Sequence, residues 1–456
     1  MGRAFVILAA GQGTRMKSAT PKVMHAVAGL PILGHVIAAA RGAGASRIVV
    51  VSAPSMDGLR AYATSLGAQN AIQDKPLGTG HAARAAAEAL AGFDGSLLVN
   101  NGDMPMALAA MMEESLASAE TTGLSLVAFR PTDPAAYGRV LVNADGTLDR
   151  IVEFKDATPQ QRAVDLCCAG TYSFASARNF FEWAAALKND NAQKEYYLPE
   201  VPLIAKGAGV PCAVTLADEI TVMGVNSRAE LADAEHHMQQ RLRARALEAG
   251  VGMTAPATVF LSYDTVLEPD VHVGPYVVFG PGVTVKSGAQ IKSHSHLEGS
   301  QKDGPVLVGS GALVGPFARL RGGTVLGEDV HIGNFVETKN ARIEKGAKAN
   351  HLTYLGDARV GAGANIGAGT ITCNYDGFDK HHTDIGAGAF IGSNSALVAP
   401  VTIADGVYVG AGSVVTKGMT KDSLVVARAE QKEIPGWAEK FRTRKKAEKA
   451  SKAKGK

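Results

Sequence analysis

From Val273 onward, aliphatic residues recur every six positions. Val273, Phe279, Val285, Ile291 and Leu297 keep this step, as do Val308, Val314, Leu320, Leu326, Ile332 and Thr338. Val360, Ile366 and Thr372 resume it, and Ile385, Ile391, Leu397, Ile403, Val409 and Val415 carry it on. A helix repeats every 3.6 residues and a strand every two, so neither produces this spacing. A chain that turns a corner every six residues does. One aliphatic side chain per short strand then points inward, and Gly at many corners tolerates positive φ. The pattern predicts a parallel β-helix in which successive coils stack their aliphatics into a column. Between Thr338 and Val360 the step is 22, across a segment that includes AKANHLTYLGD, and between Thr372 and Ile385 it is 13, across CNYDGFDKHHTD. Local rules fail most often at functional or strained places, so these interruptions are where the chemistry of this half is expected.

The preceding residues have another rhythm. Phe5–Ala10, Arg47–Val51, Ser96–Val99 and Leu124–Phe129 read as strands, and His81–Ala91 and Ala107–Ala119 as helices. Such a βαβ alternation predicts a mostly parallel sheet covered on both faces, with its ligand beyond the carboxyl ends of the strands. Ser227-Arg-Ala-Glu230 fits a capping box opening a helix that runs to about Ala249 and stops at Gly250. Leu231, Ala234, Met238 and Leu242 share one face of it. The expected domains are therefore 1–226, a linker helix 227–250, a β-helix domain 251–436 and a basic tail 437–456.

Composition narrows the class. With 46% hydrophobic and 20% charged residues the chain has the balance of a globular protein with a sizeable core. It has no apolar run of about 18 residues, so no stable membrane insertion is expected. The N-terminus reads as a first strand rather than a leader. Cys167, Cys168, Cys212 and Cys373 form no CxxC pair and no zinc spacing, which suggests a reduced, cytoplasmic setting. The net charge of +3 is uneven: residues 440–456 hold nine Lys and Arg against one Glu. This tail is expected to be a solvated, disordered end, with no nucleic-acid partner.

Two constellations carry chemistry. Leu8-Ala-Ala-Gly-Gln-Gly-Thr-Arg-Met16 follows the first strand. Gly11 and Gly13 let backbone N–H groups approach a phosphate chain, and Arg15 offsets its charge. The segment fits neither the Rossmann fingerprint nor the Walker loop. Pro21-Lys22 adds a cation, and Asn101-Gly102-Asp103 puts a carboxylate at a strand end where Mg²⁺ could sit. Taken alone, a Gly-rich turn and a turn-forming Asp explain these residues equally well. In the second half, His351 lies inside the first interruption, and a neutral imidazole accepts a proton near pH 7. Arg321, Lys339, Tyr354, Asn365, Asn374 and Tyr375 lie about one coil away in sequence and are expected to share a cleft with it.

LAAGQGTRM with Pro21-Lys22 resembles the nucleotide-binding loop of sugar-1-phosphate nucleotidyltransferases. Together with the hexapeptide half, nearly the whole chain resembles the bacterial bifunctional N-acetylglucosamine-1-phosphate uridyltransferase/glucosamine-1-phosphate acetyltransferase family. The resemblance implies a Rossmann-like, mostly parallel sheet followed by a left-handed parallel β-helix, assembled as a homotrimer with acetyl-transfer clefts between neighbouring solenoids. It implies Mg²⁺ and the substrates UTP, acetyl-CoA, glucosamine-1-phosphate and N-acetylglucosamine-1-phosphate, in a route feeding peptidoglycan and lipopolysaccharide precursors.

By the same resemblance, Leu8, Ala9, Gly11 and Gly13 line the nucleotide, with Asn101 and Gly102 beside them. Gln73, Gly78 and Thr79 hold uracil, and Lys22 and Arg15 face the triphosphate. Asp103 and Asn226 hold Mg²⁺, although Asn226 also reads as an ordinary helix-entry residue. Gly138 and Glu153 contact the sugar. Cys168 stands where such enzymes usually place an Asn, and a thiol hydrogen-bonds poorly. His351 becomes the base of acetyl transfer, with Glu337 as a weaker choice for orienting it. Arg321 and Lys339 bind the sugar phosphate, with Tyr354 and Asn365 completing that site. Ala368, Asn374, Tyr375, Ser393, Ala411 and Arg428 contact acetyl-CoA. Three other readings remain open: a nucleotidyltransferase with a structural solenoid, a metal enzyme using His381, His382 and a third histidine, and a sugar-binding scaffold.

Overall fold

The computed structural model describes residues 2–134, 137–191 and 193–454. They form two compact units. The first takes in the chain up to Ala249 with Pro256–Thr265 and Phe279–Pro281; the second holds Gly250–Ala255, Val266–Val278 and the chain from Gly282 on.

In the first unit the main path of the sheet runs Cys212–Leu216, Leu124–Phe129, Cys167–Phe174, Ser96–Asn101, Arg3–Leu8, Ala45–Ser52, Gln69–Ile72. Arg3–Leu8 pairs in parallel with both neighbours. Cys167–Phe174 is antiparallel to both of its own. The central strands are buried on both faces because their middle positions are apolar in succession, as in Ala4–Ile7 and Leu97–Val99. Ala4 and Val6 enter one core, Phe5 and Ile7 the other. The expected helix His81–Ala91 is instead Thr79–Arg84: past Arg84 the bonds shorten to i→i−3, as in Ala86 N to Ala83 O (3.2 Å), and the chain leaves the helix.

The linker helix spans Arg228–Glu248, ending where Gly250 takes φ 90°. Ala234 and Met238 are buried with Leu231 and Leu242 packed beside them, as the spacing requires. The capping box is offset by one residue. The Ser227 hydroxyl accepts from Glu230 N (3.3 Å), but Glu230 accepts from Asn226 N (2.6 Å).

The second unit is a left-handed parallel β-helix. His272 pairs with Gln290 and Leu313 with His331, eighteen residues on, so three sides of six make one coil. Every residue of the six-step series is buried. The residue after it is often Gly because coils pass closely: a Cβ on Gly367 would stand 2.5 Å from Ile391 O. Gly with positive φ holds many corners, as expected, among them Gly288, Gly311, Gly346, Gly363, Gly388 and Gly406, but part of one edge differs. Along one edge the left-handed position holds Tyr276, His294, Phe317, Phe335 and Leu352. Positive φ costs about 1–2 kcal/mol for such residues. The four rings stack at 5.0, 4.8 and 5.4 Å, an interaction that offsets part of this.

The interruption between Thr338 and Val360 is not an insertion. His331–Ile343 and Lys348–Val360 pair in parallel, with Ile332 opposite Ala349, Thr338 opposite Leu355 and Ile343 opposite Val360. The coil is seventeen residues because the sides Thr338–Ile343 and Leu355–Val360 are one residue short. The second interruption is a real insert, bridged by Tyr375 and Lys380. A third, between Leu297 and Val308, is bridged by Ser300 and Gly304. The tail is a helix, Trp437–Lys454, rather than a disordered end. Ala, Lys, Arg and Glu are strong helix formers, and Glu448 pairs with Lys445 at 2.8 Å and Arg444 at 3.8 Å.

Candidate active sites

Loops leaving the carboxyl ends of the first unit's strands enclose two adjoining pockets. One, of about 300 Å³, is lined by Leu8, Gly11, Lys22, Gln73 and Gly78. The other, of about 360 Å³, is lined by Gly138, Glu153, Cys168 and Asn226. Thr79, Asn101 and Asp103 border both. Ala9, Gly13, Arg15 and Gly102 line neither. Gly13 has a packing reason to be glycine: it holds φ 60°, and a Cβ there would lie 2.7 Å from Lys22 Cβ. Arg15 is exposed on the short turn Thr14–Met16.

Lys22, Asp103 and Asn226, from three distant segments, meet at one point. Lys22 Nζ donates to the Asp103 carboxylate and to Asn226 Oδ1 (2.8 Å). A cationic group thus rests between a carboxylate and an amide oxygen, with the Lys22 and Asp103 side chains 15% and 14% exposed. Two hard oxygen donors suit Mg²⁺, which fills its remaining positions with phosphate oxygens and water. Among the described residues no three His, Cys, Asp or Glu side chains converge on a metal position.

In the larger pocket, burial raises the Glu153 carboxyl above its ordinary range, with Asp156 adding to the effect. Burial pushes the Cys168 thiol up to about 11. It stays protonated, 3.2 Å from the Tyr172 hydroxyl and accepting from Gly170 N at 3.4 Å. Sequence reasoning missed Tyr137, Gln193, Glu195 and Tyr197, which also line this space. They lie on irregular segments whose approach to the sheet no local pattern announces.

On the solenoid, His351 occupies an edge. Its Nδ1 is 2.9 Å from Asn334 Oδ1, one coil back in register. An amide oxygen only accepts, so Nδ1 carries the hydrogen and Nε2 is left as the acceptor. Glu337 does not orient this ring. It binds Arg321 at 2.9 Å and Arg319 at 3.8 Å, because its register places it in the adjoining face. Ala368, Ser393 and Ala411 follow His351 coil by coil down the same edge. Gly369 N donates to His351 O (3.4 Å), Asn394 N to Ala368 O (2.7 Å) and Gly412 N to Ser393 O (2.8 Å). The Arg428 guanidinium closes the series on Ala411 O (2.7 Å).

The expected common cleft is a flat face within this chain. Lys339 stands level with Gly356, five residues on from His351 and past the corner at Leu352, and Arg321 lies on the coil before it, next to Leu320, which pairs with Thr338. Tyr354 lies on the face between them, opposite Glu337. Lys339 is tied to Asp303 (3.1 Å), on the unforeseen third insert. Asn374, at the far edge, donates to Asp357, and Tyr375 is exposed with its hydroxyl on Gly377 O (2.6 Å). Asn365 belongs to a different face, paired with Lys348 and Phe390, because a corner separates it from Tyr354. His381 Nε2 faces Asp376 Oδ2 at 2.7 Å.

Two family models match: the MobA-like NTP transferase domain over residues 5–194, and the six-repeat bacterial transferase hexapeptide over residues 382–417. Full-length relatives agree. The chain is 50% identical over 454 residues to the Bifunctional protein GlmU of Sphingopyxis alaskensis, covering 99% of each. It is 49% identical over 452 residues to that of Paramagnetospirillum magneticum, covering 98% of each, and 51% identical over 443 residues to that of Rhodospirillum rubrum, covering 96% of this chain and 97% of the relative. A pocketed α/β unit, a hexapeptide solenoid and half of all residues shared from end to end place the chain in the bifunctional GlmU family.

Proposed function

We propose that the two units catalyse successive group transfers on one amino sugar: acetyl transfer to glucosamine-1-phosphate on the solenoid, then uridylyl transfer to N-acetylglucosamine-1-phosphate in the α/β crevice. The product, UDP-N-acetylglucosamine, feeds cell-wall and lipopolysaccharide precursors. One observation carries the reading. A single chain holds a phosphate-reading cation between hard oxygen donors in a nucleotide-sized crevice and, elsewhere, an oriented imidazole at the head of an edge column.

In acetyl transfer, the sugar amine attacks the thioester carbonyl of acetyl-CoA. Asn334 holds the Nδ1 hydrogen of His351, and Nε2 takes the proton from the attacking nitrogen. The C–S bond then breaks and CoA leaves. Arg321 and Lys339 bind the sugar phosphate once it displaces Glu337 and Asp303 from them. Acetyl-CoA lies along the edge from Ala368 through Ser393 and Ala411 to Arg428, with Asn374 and Tyr375 at its acyl end.

In uridylyl transfer, a phosphate oxygen of the sugar attacks the α-phosphorus of UTP and pyrophosphate leaves. The nucleophile is already an anion, so positioning and charge neutralisation supply the rate. Leu8, Gly11, Gln73, Gly78 and Thr79 hold the nucleotide; Gly138, Glu153 and Cys168 hold the sugar. Lys22 neutralises phosphate charge. Asp103 and Asn226 hold Mg²⁺, which contributes further neutralisation there.

A hexapeptide solenoid fits a homotrimeric working form, and in this reading a neighbouring solenoid supplies Asn365, which lies around a corner from Tyr354 in its own chain. No helix among the described residues is long and apolar enough to cross a membrane. The four cysteines are free, in keeping with a cytoplasmic enzyme. The test is a single reaction with glucosamine-1-phosphate, acetyl-CoA, UTP and Mg²⁺. UDP-N-acetylglucosamine forms only when all four are present. Its formation without acetyl-CoA, or a failure to acetylate glucosamine-1-phosphate, overturns the reading.

A further inference from the structure

The linker helix Arg228–Glu248 grips the uridylyl site at more points than a spacer needs. At its start, Glu230 accepts from Asn226 N (2.6 Å), fixing the residue whose amide oxygen faces Lys22. Farther on, Glu235 Oε2 accepts from Ala28 N (2.6 Å), while Gln239 Nε2 donates to Glu235 Oε1 (2.8 Å). Ala28 sits in the tight turn between Ala26–Val27 and Leu30–Pro31, shortly after Lys22, and holds φ 47°. A carboxylate bonded to that N–H makes a charge-assisted tie at a backbone position an Ala side chain disfavours. Arg241 then donates to Met106 O (3.1 Å), three residues past Asp103.

Packing repeats the pattern independently. A small separate core joins Met16 of the phosphate loop, Val27, Met106 and Val225 to Ala234 and Met238 of the helix. Each segment that delivers Lys22, Asp103 or Asn226 is therefore tied to one rigid helix, by a polar contact and by burial. The strands alone cannot set this meeting point, because all three residues stand on connections beyond the sheet.

The geometry points to Glu235 and Arg241 as positioning residues of uridylyl transfer, acting through the linker helix on the Lys22–Asp103–Asn226 cluster. This rests on the assignment of those three residues to phosphate and metal binding. Neither side chain lines either of the two pockets of the uridylyl site, so both act from behind it rather than on substrate. Their loss displaces a cluster that must neutralise charge in the transition state, while the nucleotide-contacting loop at Gln73 and Gly78 keeps its own anchors, such as Gln73 N on Ser52 O (2.9 Å).

The test uses the full-length protein. Glu235→Ala is expected to lower the uridylyl kcat by about 10- to 100-fold, the effect of a modest displacement of catalytic groups. The KM for UTP should move much less, and acetyl transfer in the same preparation should be unchanged. Glu235→Gln, which keeps an acceptor oxygen, regains most of the rate; Arg241→Met falls between the two. Two readouts do not depend on turnover. Amide hydrogen exchange at residues 26–31 speeds up in Glu235→Ala, and Mn²⁺ titrated with electron spin resonance binds more weakly. Should Glu235→Ala lose acetyl transfer as well, Arg241→Met decides by the same measurements. Wild-type kcat, exchange and Mn²⁺ affinity in the variants overturn the positioning role. A wild-type protein without uridylyl transfer overturns the assignment of the site instead, and the exchange and Mn²⁺ measurements still decide the role of the helix.

Discussion

The α/β unit and the solenoid solve the problem of building a site in opposite ways. Loops of unequal length leave the sheet at the ends of its strands and fold over to enclose space, so Lys22, Asp103 and Asn226 converge although Lys22 and Asn226 are 204 residues apart. The solenoid repeats one coil and so presents flat faces and straight edges. His351 and the residues below it form a line, and Asn365 stands around a corner from Tyr354. Convergence comes from irregular connections in the first unit; in the second, faces and corners keep the corresponding residues apart within the chain.

Four experiments bear on this contrast. The largest effect is expected from His351→Ala, which removes the only base proposed for acetyl transfer and should slow that reaction about 10²–10⁴-fold. Uridylyl transfer by the same protein, measured as pyrophosphate release, should be unaffected; a parallel loss would mean the units are not separate catalysts. Lys22→Ala should lower uridylyl kcat/KM by about 10²–10³-fold, the value of one preorganised charged donor, with acetylation intact.

Subunit sharing is open to a complementation test. Asn365→Ala and Tyr354→Ala should each lower acetyl transfer roughly tenfold, about one hydrogen bond to a charged or buried group. Co-assembled from the two variants, mixed oligomers should regain activity because some interfaces combine an intact Asn365 with an intact Tyr354. No recovery would place both residues in one subunit's site. The smallest effect concerns Cys168. Its thiol pKa is raised to about 11, so the reactive thiolate is scarce below that pH. Mass spectrometry should find it unmodified by iodoacetamide at pH 8, with labelling rising as pH approaches the raised value. Cys168→Asn, supplying a stronger hydrogen-bonding group, should lower the KM for the sugar phosphate by about fivefold.

Much of the molecule was legible in the order of its residues. The six-step series named the inward residues of the solenoid individually, because stacked coils leave one environment per step. Four strands of the first unit were found to within two residues, and the apolar face of the linker helix was read correctly, but Gln69–Ile72, Arg139–Val142, Leu148–Val152, Cys167–Phe174 and Cys212–Leu216 were not read as strands. The misreadings have physical causes. The 22-residue step looked like an insertion, whereas two sides had each lost one residue, and a sum of steps cannot distinguish these. Gly was expected at many corners and stands there, but the ringed corners such as Phe317 and Phe335 were not foreseen, because the stacking between coils that compensates their backbone is a contact between residues far apart in sequence. Glu337 was proposed beside His351, but register places Asn334 there.

The sequence by itself determined which side chains face inward, where the period breaks and which residue types stand ready for phosphate and proton chemistry, since these follow from spacing and intrinsic chemistry along one chain. Only the tertiary structure decided which of them meet. Lys22 between Asp103 and Asn226, Asn334 behind His351 and Glu235 under Ala28 all depend on how loops close and how coils align. Those distances are set by packing between remote segments, on which local periodicity has no purchase.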